Sequence, residues 1–361
     1  MSHLITKNRD PILDLEPWVG QRQATFRFDL TDGATGQRLG QLTPLREASL
    51  SHDTQRTIKR SLSLSLGVAD TAAINPITDR VSPFMVFPSG TEYPLGRYMF
   101  TDASRQVFTS GIASAHTAGG LATVTLNDEM FLVDQQITRG VSSINASISS
   151  TIQAVLSGLN VDIEMEASPF LGAESWTVGT NRGSILEALA LSGDYFSPWF
   201  SNDYKFHFIR TFDPSTRVPD FDLDDGNNVI RDAIIETDDL LTAPNRFVVI
   251  SNASNSPDIE VVAIADVPPT APHSIAKRGF VLPQVVSLQL NDGGQAQAVA
   301  TGLANRQTVF ERVTLTTAPD PRYDSYDVVR WQEQNWLELA WSMQLIEGGT
   351  MTHVLRKSYA S

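Results

Sequence analysis

Ser61-Leu62-Ser63-Leu64-Ser65-Leu66 alternates a small polar residue with leucine over six consecutive positions. In an extended strand successive side chains point to opposite faces, so the leucines share one face and the serines share the other. The stretch therefore predicts a half-buried antiparallel β-strand, with one face on a hydrophobic core and the other in water.

The same period of two continues on both sides of this stretch. Phe26, Phe28 and Leu30 alternate with polar residues before it, and Leu121 to Leu126 alternate after it. Turn signals separate these runs at spacings that suit a small barrel or sandwich. They are Asp32-Gly33, Asn75-Pro76, Pro88-Ser89-Gly90 and Gly119-Gly120. We predict that residues 1–136 form an N-terminal arm followed by a first β-barrel domain.

The period then changes to that of helices. Apolar residues from Ile144 to Leu159 fall on one helical face, with Ser142 or Ser143 as a candidate N-cap. A second helix is predicted from Ser184 to Leu191, where Ser184 and Glu187 match a capping box and Gly193 suits a left-handed C′ position. A hairpin from Phe196 to Ile209 follows, so residues 137–215 are predicted to be a small α/β domain.

Residues 216–361 return to β character, with one Ala-rich helix from Gln295 to Arg306. Strands are predicted at Asn245 to Ile250 and Asp258 to Ile264, and a terminal hairpin at Asn335 to Leu345 and Met351 to Leu355. We assign this part to a second β-barrel domain. The predicted fold class is mainly β with an α/β insertion, in which two tube-like β-barrel domains flank a small α/β domain.

A short internal repeat in the sequence supports this symmetric arrangement. Residues 46–50 followed by residues 59–64 resemble residues 231–235 followed by residues 245–250, at nearly equal spacing. This match would make the first and third domains copies of one β-unit, although so short a match also arises by chance.

Composition excludes several classes of function. The 361 residues include 27 Lys and Arg against 41 Asp and Glu, a net charge of −14 that opposes binding to phosphate backbones. The excess acid suits a surface that lets DNA pass without adhesion, and equally well it serves solubility alone. There is no cysteine, so disulfides and thiolate chemistry are excluded. No leader or membrane span is recognised, so we expect an aqueous location without membrane insertion.

Catalytic and metal-binding motifs are not found. The sequence has neither a phosphate-binding loop nor a Gly-x-Ser-x-Gly elbow, and its six histidines show no metal-ligand spacing. Residues 222–228 form an Asp- and Asn-rich turn that resembles a calcium loop, but its spacing does not fit an EF-hand, and an Asx-rich turn is favoured. We predict no catalytic residues, no cofactor and no metal site.

Two further groups of residues could carry a function. Glu164 and Glu166 share one face of a predicted strand, as a carboxylate pair for acid/base chemistry would, although a solvated strand face is favoured. Trp331, Trp336 and Trp341 recur every five residues, which fits core or interface anchors better than a sugar-binding platform.

Several segments together resemble the tail hub proteins of tailed phages, above all minor tail proteins of long-tailed actinobacterial phages. In the middle of the chain a short helix precedes an aromatic hairpin: Ser184 to Ala190, Gly193-Asp194-Tyr195 and Phe200 to Phe206. Three more segments follow towards the C-terminus: Arg278-Gly279-Phe280, Pro319 to Asp324 and Gly348 to His353.

The resemblance implies a non-enzymatic structural virion protein at the tail tip, made in the host cytoplasm. Its expected form is a homotrimer whose two barrels per chain give a pseudo-sixfold ring. That ring would adapt a sixfold tail tube or distal tail protein to a threefold tip, and phage DNA would pass through it. The tape measure protein and other tail-tip proteins or fibres are further expected partners. Trp18, Trp199 and Trp336 are the candidate subunit contacts.

Two alternatives stay open at this point. A receptor- or carbohydrate-binding tail-tip module could use the aromatic residues Trp176, Tyr195, Trp199 and Tyr204 as a stacking surface. A glycan hydrolase could use Glu164 and Glu166. Because no hydrolase-like region follows the last predicted strand, wall-degrading activity is expected in another protein.

Overall fold

The structure is a computed structural model that describes residues 24–44, 48–67, 74–101, 121–223, 229–237, 242–252, 260–290, 292–306 and 311–357. Trp18 and most of the Asp-rich turn lie outside the described residues. In the N-terminal part, the regular elements of the described residues are all β-strands. Its strands are β1 (Thr25–Asp32), β2 (Arg38–Leu42), β3 (Ala48–Asp53), β4 (Arg60–Gly67), β5 (Asp79–Val86), β6 (Glu92–Pro94), β7 (Tyr98–Phe100) and β8 (Leu121–Asp128).

The middle of the chain mixes short helices and strands. Its elements are α1 (Met130–Val133), β9 (Val141–Ser142), α2 (Ile148–Leu156), β10 (Asp162–Met165), β11 (Ser175–Trp176), α3 (Arg182–Ser192), β12 (Trp199–Phe200), β13 (Lys205–Phe208) and a 3₁₀ turn (Pro214–Thr216). A three-stranded sheet in the order β10-β13-β12 packs with the helices around one apolar core. The predicted hairpin is confirmed by the antiparallel pair β12–β13.

The described residues of the C-terminal part form nine strands and two helices. They are β14 (Phe221–Asp222), β15 (Val229–Thr237), β16 (Arg246–Asn252), β17 (Glu260–Asp266), α4 (Ile275–Arg278), β18 (Pro283–Leu288), α5 (Gly293–Arg306), β19 (Glu311–Thr317), β20 (Val328–Trp331), β21 (Gln334–Gln344) and β22 (Met351–Lys357). The predicted helix is confirmed as α5, and the predicted terminal hairpin is confirmed as the pair β21–β22.

One sheet of fourteen strands joins the two ends of the chain. Its main path runs β15-β19-β22-β21-β3-β4-β8-β7-β5-β1-β2, with β6, β14 and β20 attached at its sides. The joint is the antiparallel pair β21–β3, in which Met343 lies opposite Leu50. A single apolar core underlies it and takes residues from both parts, including Leu64 and Leu315. The chain is therefore mainly β, while closure into two barrels stays a prediction.

Strands β16 to β18 lie outside this large sheet. They form a separate three-stranded sheet in the order β17-β16-β18, and α5 packs on it through its own apolar core. The short internal repeat in the sequence does not correspond to two equivalent hairpins. β3 pairs with β4, whereas β15 pairs with β19 and β16 belongs to the smaller sheet.

The ends of the predicted helices differ from expectation. The first begins at Ile148 after Ser147, since Ser143 instead exchanges hydrogen bonds with the backbone of Glu174. For α3 the N-cap is Asn181, whose side chain accepts from the Ser184 amide at 3.0 Å, so the proposed capping box is wrong. Gly193 has a right-handed conformation, and the left-handed residue is Asp194, with φ of 59°.

Candidate functional site

The exposed face of the large sheet is lined with hydroxyl groups. On β4 the side chains of Leu62, Leu64 and Leu66 are fully buried, whereas Ser61 and Ser63 on the opposite face are partly exposed. The alternation in the sequence is thus realised as predicted, with leucine on the core side and serine on the water side.

Strand register brings equivalent polar residues of six strands into line. β8, β4, β3, β21, β22 and β19 are neighbours, and each pair is antiparallel. One row of directly opposed residues crosses all six strands: Asn127, Ser61, Ser51, Ser342, Thr352 and Thr316. A second row crosses four of them: Thr125, Ser63, Ser49 and Gln344. We call these two sets the hydroxyl rows.

Six residues of the hydroxyl rows line a groove of about 370 Å³: Asn127, Ser61, Ser51, Ser342, Thr352 and Thr125. Within it the Ser51 and Ser61 hydroxyl oxygens lie 2.7 Å apart, so one donates to the other across the strands. The groove is also lined by the charged residues Asp53, Arg56 and Lys59, of which Arg56 Nε and Asp53 Oδ2 form a pair at 3.2 Å. The rows themselves contain only hydroxyl and amide side chains. The side chains of the rows can therefore both donate and accept hydrogen bonds without carrying charge.

A buried ionic junction lies on the core side of this face. Arg60, which is 1% exposed, donates through Nη2 to Asp324 Oδ1 at 2.5 Å and through Nη1 to Asn202 Oδ1 at 2.5 Å. Trp199 Nε1 donates to the same Asp324 oxygen at 3.0 Å. β4, the β12–β13 hairpin and the loop before β20 therefore meet at one carboxylate, which fixes the α/β unit against the sheet.

Two ionisable groups near this junction are shifted by burial. Burial raises the pKa of Asp128 to about 7, against the attraction of Arg60, which lowers it. The Met130 amide donates to Asp128 Oδ1 at 3.1 Å. Burial also lowers the pKa of Lys59, whose ammonium group donates to Ser197 Oγ at 2.6 Å. Both groups cross between the first β segment and the α/β unit, so they act as structural ties.

Glu338, His353 and Thr317 form a buried chain of side chains. His353 Nδ1 lies 2.9 Å from Glu338 Oε2, and its Nε2 lies 2.9 Å from Thr317 Oγ1. The order resembles that of a hydrolytic triad. However, the three side chains are 0–2% exposed, so no substrate reaches them, and the Thr317 hydroxyl also lies 3.0 Å from the Ala318 carbonyl oxygen. The three side chains link β21, β22 and β19.

Comparison with known proteins gives a likeness of fold. The tail protein from Neisseria meningitidis MC58 is 12% identical, with a TM-score of 0.62 over 92% of this chain and 97% of that one. The 43 kDa tail protein of prophage MuSo2 from Shewanella oneidensis is 11% identical, with a TM-score of 0.56 over 92% of this chain and 98% of that one. Prophage tail protein gp18 from Listeria monocytogenes is 11% identical, with a TM-score of 0.50 over 93% of this chain and 95% of that one.

The chain has the fold of phage tail proteins. No family model matches the sequence, and no curated protein matches it either. At 11–12% identity the likeness establishes fold and does not assign a role to any single residue.

The tryptophans predicted to contact other subunits are buried within this chain. Trp199 is 1% exposed and stacks on His207, with ring centroids 5.2 Å apart. Trp336 is 3% exposed and donates through Nε1 to the Trp331 carbonyl. Both indole rings therefore contact their own chain, and Trp18 lies outside the described residues. Their role in subunit contacts stays a prediction.

Two of the four aromatic residues of the carbohydrate-binding alternative are buried, whereas Trp176 and Tyr204 are partly exposed. Tyr195 and Trp199 are both 1% exposed, so they offer no stacking surface for a sugar. Glu164 lies 3.4 Å from Lys205 Nζ, and Glu166 Oε2 accepts from the Arg210 amide at 2.9 Å. Both carboxylates thus connect β10 and the residue after it to Lys205 of β13 and to Arg210, which follows β13.

Metal ligands and membrane spans were also sought among the described residues. No group of three or more histidine or acidic side chains could hold a metal ion there. Residues 224–228 of the Asp-rich turn lie outside that part, so the ion site at this turn is untested. None of the described helices has the length and apolar character needed to cross a membrane.

Sequence reasoning missed the hydroxyl rows as a surface. Their signal is visible in retrospect as alternating serine or threonine in several separate strands, such as Thr314 and Thr316 in β19. The pairing of β21 with β3 brings together residues almost 300 positions apart in the sequence, as Ser342 and Ser51 show. No periodicity within one segment encodes that pairing.

Proposed function

We propose that this chain is a non-enzymatic structural protein of a phage tail, placed as the hub at the distal end of the tail tube. Three copies form a ring in which each chain contributes two β segments, giving pseudo-sixfold symmetry towards the tube and threefold symmetry towards the tip. The assembled protein belongs to the virion and encloses part of the DNA passage.

The observation that carries this proposal is the continuous sheet through the β21–β3 joint. It places an N-terminal and a C-terminal β segment side by side over one core, which is the arrangement that a pseudo-sixfold ring of three chains needs. Likeness of fold to phage tail proteins over 92% of the chain supports the same role.

The proposed partners follow from this position. A tail tube or distal tail protein contacts one side of the ring, and tail-tip proteins or fibres contact the other. The tape measure protein and then the phage DNA occupy the passage transiently. The absence of a catalytic role is part of the proposal, and it is supported by the engagement of Glu164 and Glu166 in structural contacts.

The mass of the purified protein tests the proposal directly. Light scattering behind size exclusion is expected to give three chain masses of 39.6 kDa each, and negative-stain images of that peak are expected to show threefold rings. A monomer that forms no rings, either alone or with a distal tail protein added, would contradict the hub.

A further inference from the structure

The smaller sheet, β17-β16-β18, exposes an apolar face. On its other face α5 covers alternate residues such as Val249 and Ala263. On the exposed face the strand register sets Ile264, Val248 and Val285 in one row across the three strands. Val285 is 57% exposed and Ile264 is 48% exposed. We call this side of the sheet the outer face, and five residues define it: Val248, Ile250, Val262, Ile264 and Val285.

The loop after α4 extends this apolar surface at one end of the sheet. Gly279 turns the backbone with φ of 75°, and Phe280 and Val281 follow it with exposed fractions of 47% and 41%. The side-chain amide of Asn245 donates to the Phe280 carbonyl at 3.0 Å. Since Asn245 directly precedes β16, this hydrogen bond fixes the loop beside the outer face.

The charge at this end is positive, although the whole chain carries a net charge of −14. Arg246 on the outer face pairs with Asp266 at 2.6 Å, so these two charges cancel. Lys277 and Arg278 end α4, and the Arg278 guanidinium carbon lies 5.5 Å from the Phe280 ring centroid. Among the described side chains of the three strands and α4, the balance is therefore basic.

The size of the apolar surface suits a short segment of chain. Its five most exposed residues, which are 41–57% exposed, are Val262, Ile264, Phe280, Val281 and Val285. They present on the order of 400 Å² of apolar area, a size that is often functional on a monomer. A stable interface between subunits buries about 800 Å² on each partner. The surface alone is thus too small for a whole subunit face.

Residues 10–19, which lie outside the described residues, have a composition that complements this surface. They include three acidic residues and no basic one. Asp10 and Glu16 each precede a proline, which favours extended backbone. Ten extended residues span about 33 Å, enough to cross a three-stranded sheet. The apolar residues of the segment are Ile12, Leu13, Leu15, Trp18 and Val19.

The position of β1 favours the outer face of a neighbouring chain over that of the same chain. β15 leads into the smaller sheet and α5 leads back to β19, so this sheet lies at the β15 end of the large one. β1 is nine strand steps from β15, about 43 Å along the sheet. From Ala24 to Leu15 an extended chain reaches only about 30 Å. In a head-to-tail ring, however, the β1 end of one chain adjoins the β15 end of the next.

We infer that residues 10–19 of one chain bind the outer face of the next chain in the ring. This inference rests on the proposed function. Burial of apolar side chains, above all Trp18, provides the attraction. The acidic residues of the segment direct it to the basic end of the face, since charge complementarity acts mainly on specificity.

Photochemical crosslinking tests the inference in the full-length chain. Trp18 is replaced by p-benzoylphenylalanine, which keeps an aromatic side chain, and these chains are mixed before assembly with isotope-labelled wild-type chains. Mass spectrometry then distinguishes crosslinks within a chain from crosslinks between chains. We expect crosslinks from position 18 to the outer face or to Phe280 and Val281 of labelled chains. The same photoreactive residue at Ile77, which is 79% exposed, should give none there.

Other outcomes separate failure of this contact from failure of the ring, because light scattering on the same sample reports whether a ring forms. Where the ring forms, crosslinks from position 18 to another surface, or only to the outer face of the same chain, overturn the inference and leave the ring intact. If wild-type protein forms no ring, the proposed function fails and the contact between chains fails with it.

The apolar chemistry of the face is tested by the double variant Ile264→Glu, Val285→Glu. Its matched control is Ile77→Glu, Val218→Glu, which adds the same charge at positions that are 79% and 87% exposed. We expect the yield of crosslinks from position 18 to the neighbouring chain to fall at least tenfold in the first variant and to stay within about twofold of wild type in the control. Equal yields in the two variants would overturn the inference.

Discussion

Arg60 shows how strongly one buried charge depends on a single partner. Its guanidinium is 1% exposed, and Asp324 is the acidic group that faces it at 2.5 Å. We expect Asp324→Asn to lower the free energy of unfolding by about 3 kcal/mol, because it removes the carboxylate that directly faces a buried cation. Equilibrium denaturation in urea measures the change.

The matched control for this change is Asp266→Asn. Asp266 pairs with Arg246 at 2.6 Å on the surface. The Asp266 side chain is 43% exposed and the Arg246 side chain is 34% exposed. Exposed pairs contribute about 0–1 kcal/mol, so the control should lose far less stability. Equal losses for the two variants would show that the Arg60 junction is not stabilising in the way described.

Asp128 should make stability fall as pH rises through neutrality. Burial raises the pKa of this carboxyl to about 7 in the folded chain, whereas the unfolded chain titrates near 3.8. Between these values the folded state binds more protons than the unfolded state, so raising the pH favours unfolding. Asp128→Asn should flatten this slope, and urea unfolding at several pH values measures it.

A carboxyl shifted in the opposite direction provides the comparison for Asp128. The pKa of Asp266 is lowered, chiefly by its hydrogen bond to Arg246, so its contribution is lost only as the pH falls below the normal range for aspartate. Asp266→Asn should therefore leave the slope around neutral pH unchanged. If Asp128→Asn also leaves it unchanged, the raised pKa of Asp128 is wrong.

At the scale of elements, the start of α3 can be tested at two neighbouring positions. Asn181 accepts from the Ser184 amide, while the Ser184 side chain is exposed. We expect Asn181→Ala to cost about 1 kcal/mol of unfolding free energy, the usual value of an N-cap. Ser184→Ala should change it by less than about 0.5 kcal/mol. If Ser184→Ala destabilised the protein more than Asn181→Ala in thermal or urea unfolding, the capping box formed by Ser184 and Glu187 would be supported instead.

The sequence was sufficient to predict that these strands and helices exist, but it was not sufficient to predict the residues at which the helices begin and end. The alternation at Ser61 to Leu66 and the apolar face of α2 both formed as predicted, because burial of those side chains favours one periodicity. Helix ends depend on which side chain reaches a free amide, as Asn181 does. Several nearby residues can do so, and their choice depends on tertiary contacts.

The β21–β3 joint was beyond prediction because strand pairing between distant segments leaves no local pattern. Its strength can be measured between Leu50 and Met343, which lie directly opposite and are fully buried. A double-mutant cycle of Leu50→Ala and Met343→Ala should give a coupling of about 0.5–3 kcal/mol in urea unfolding. A coupling near zero would indicate two β segments that are stable independently.

The candidate site follows the same division. Each strand of the hydroxyl rows could be recognised alone from its alternating serine or threonine residues, as at Ser61 and Ser63. The rows exist only after the joint sets Ser342 opposite Ser51. The tryptophans show why a contact surface is hard to predict from sequence: a large aromatic ring serves a core as well as an interface, and Trp199 and Trp336 pack inside this chain, so their role in subunit contacts stays a prediction.

For the molecule as a whole, net charge opposes assembly of the proposed ring. Each chain carries a charge of −14, so three chains repel one another over about a Debye length. Any ring must therefore be held by surfaces whose attraction exceeds this repulsion. The hydroxyl rows add nothing to the repulsion, since their side chains are neutral.

Salt should therefore strengthen the ring. Raising the ionic strength from about 0.01 M to about 0.15 M shortens the Debye length from about 30 Å to about 8 Å and screens repulsion between the chains. We expect the trimer fraction in light scattering at fixed protein concentration to rise over this range. Contacts built on ion pairs between chains would be weakened by the same screening, so a falling trimer fraction would show that opposite charges, rather than packed uncharged surfaces, hold the subunits together.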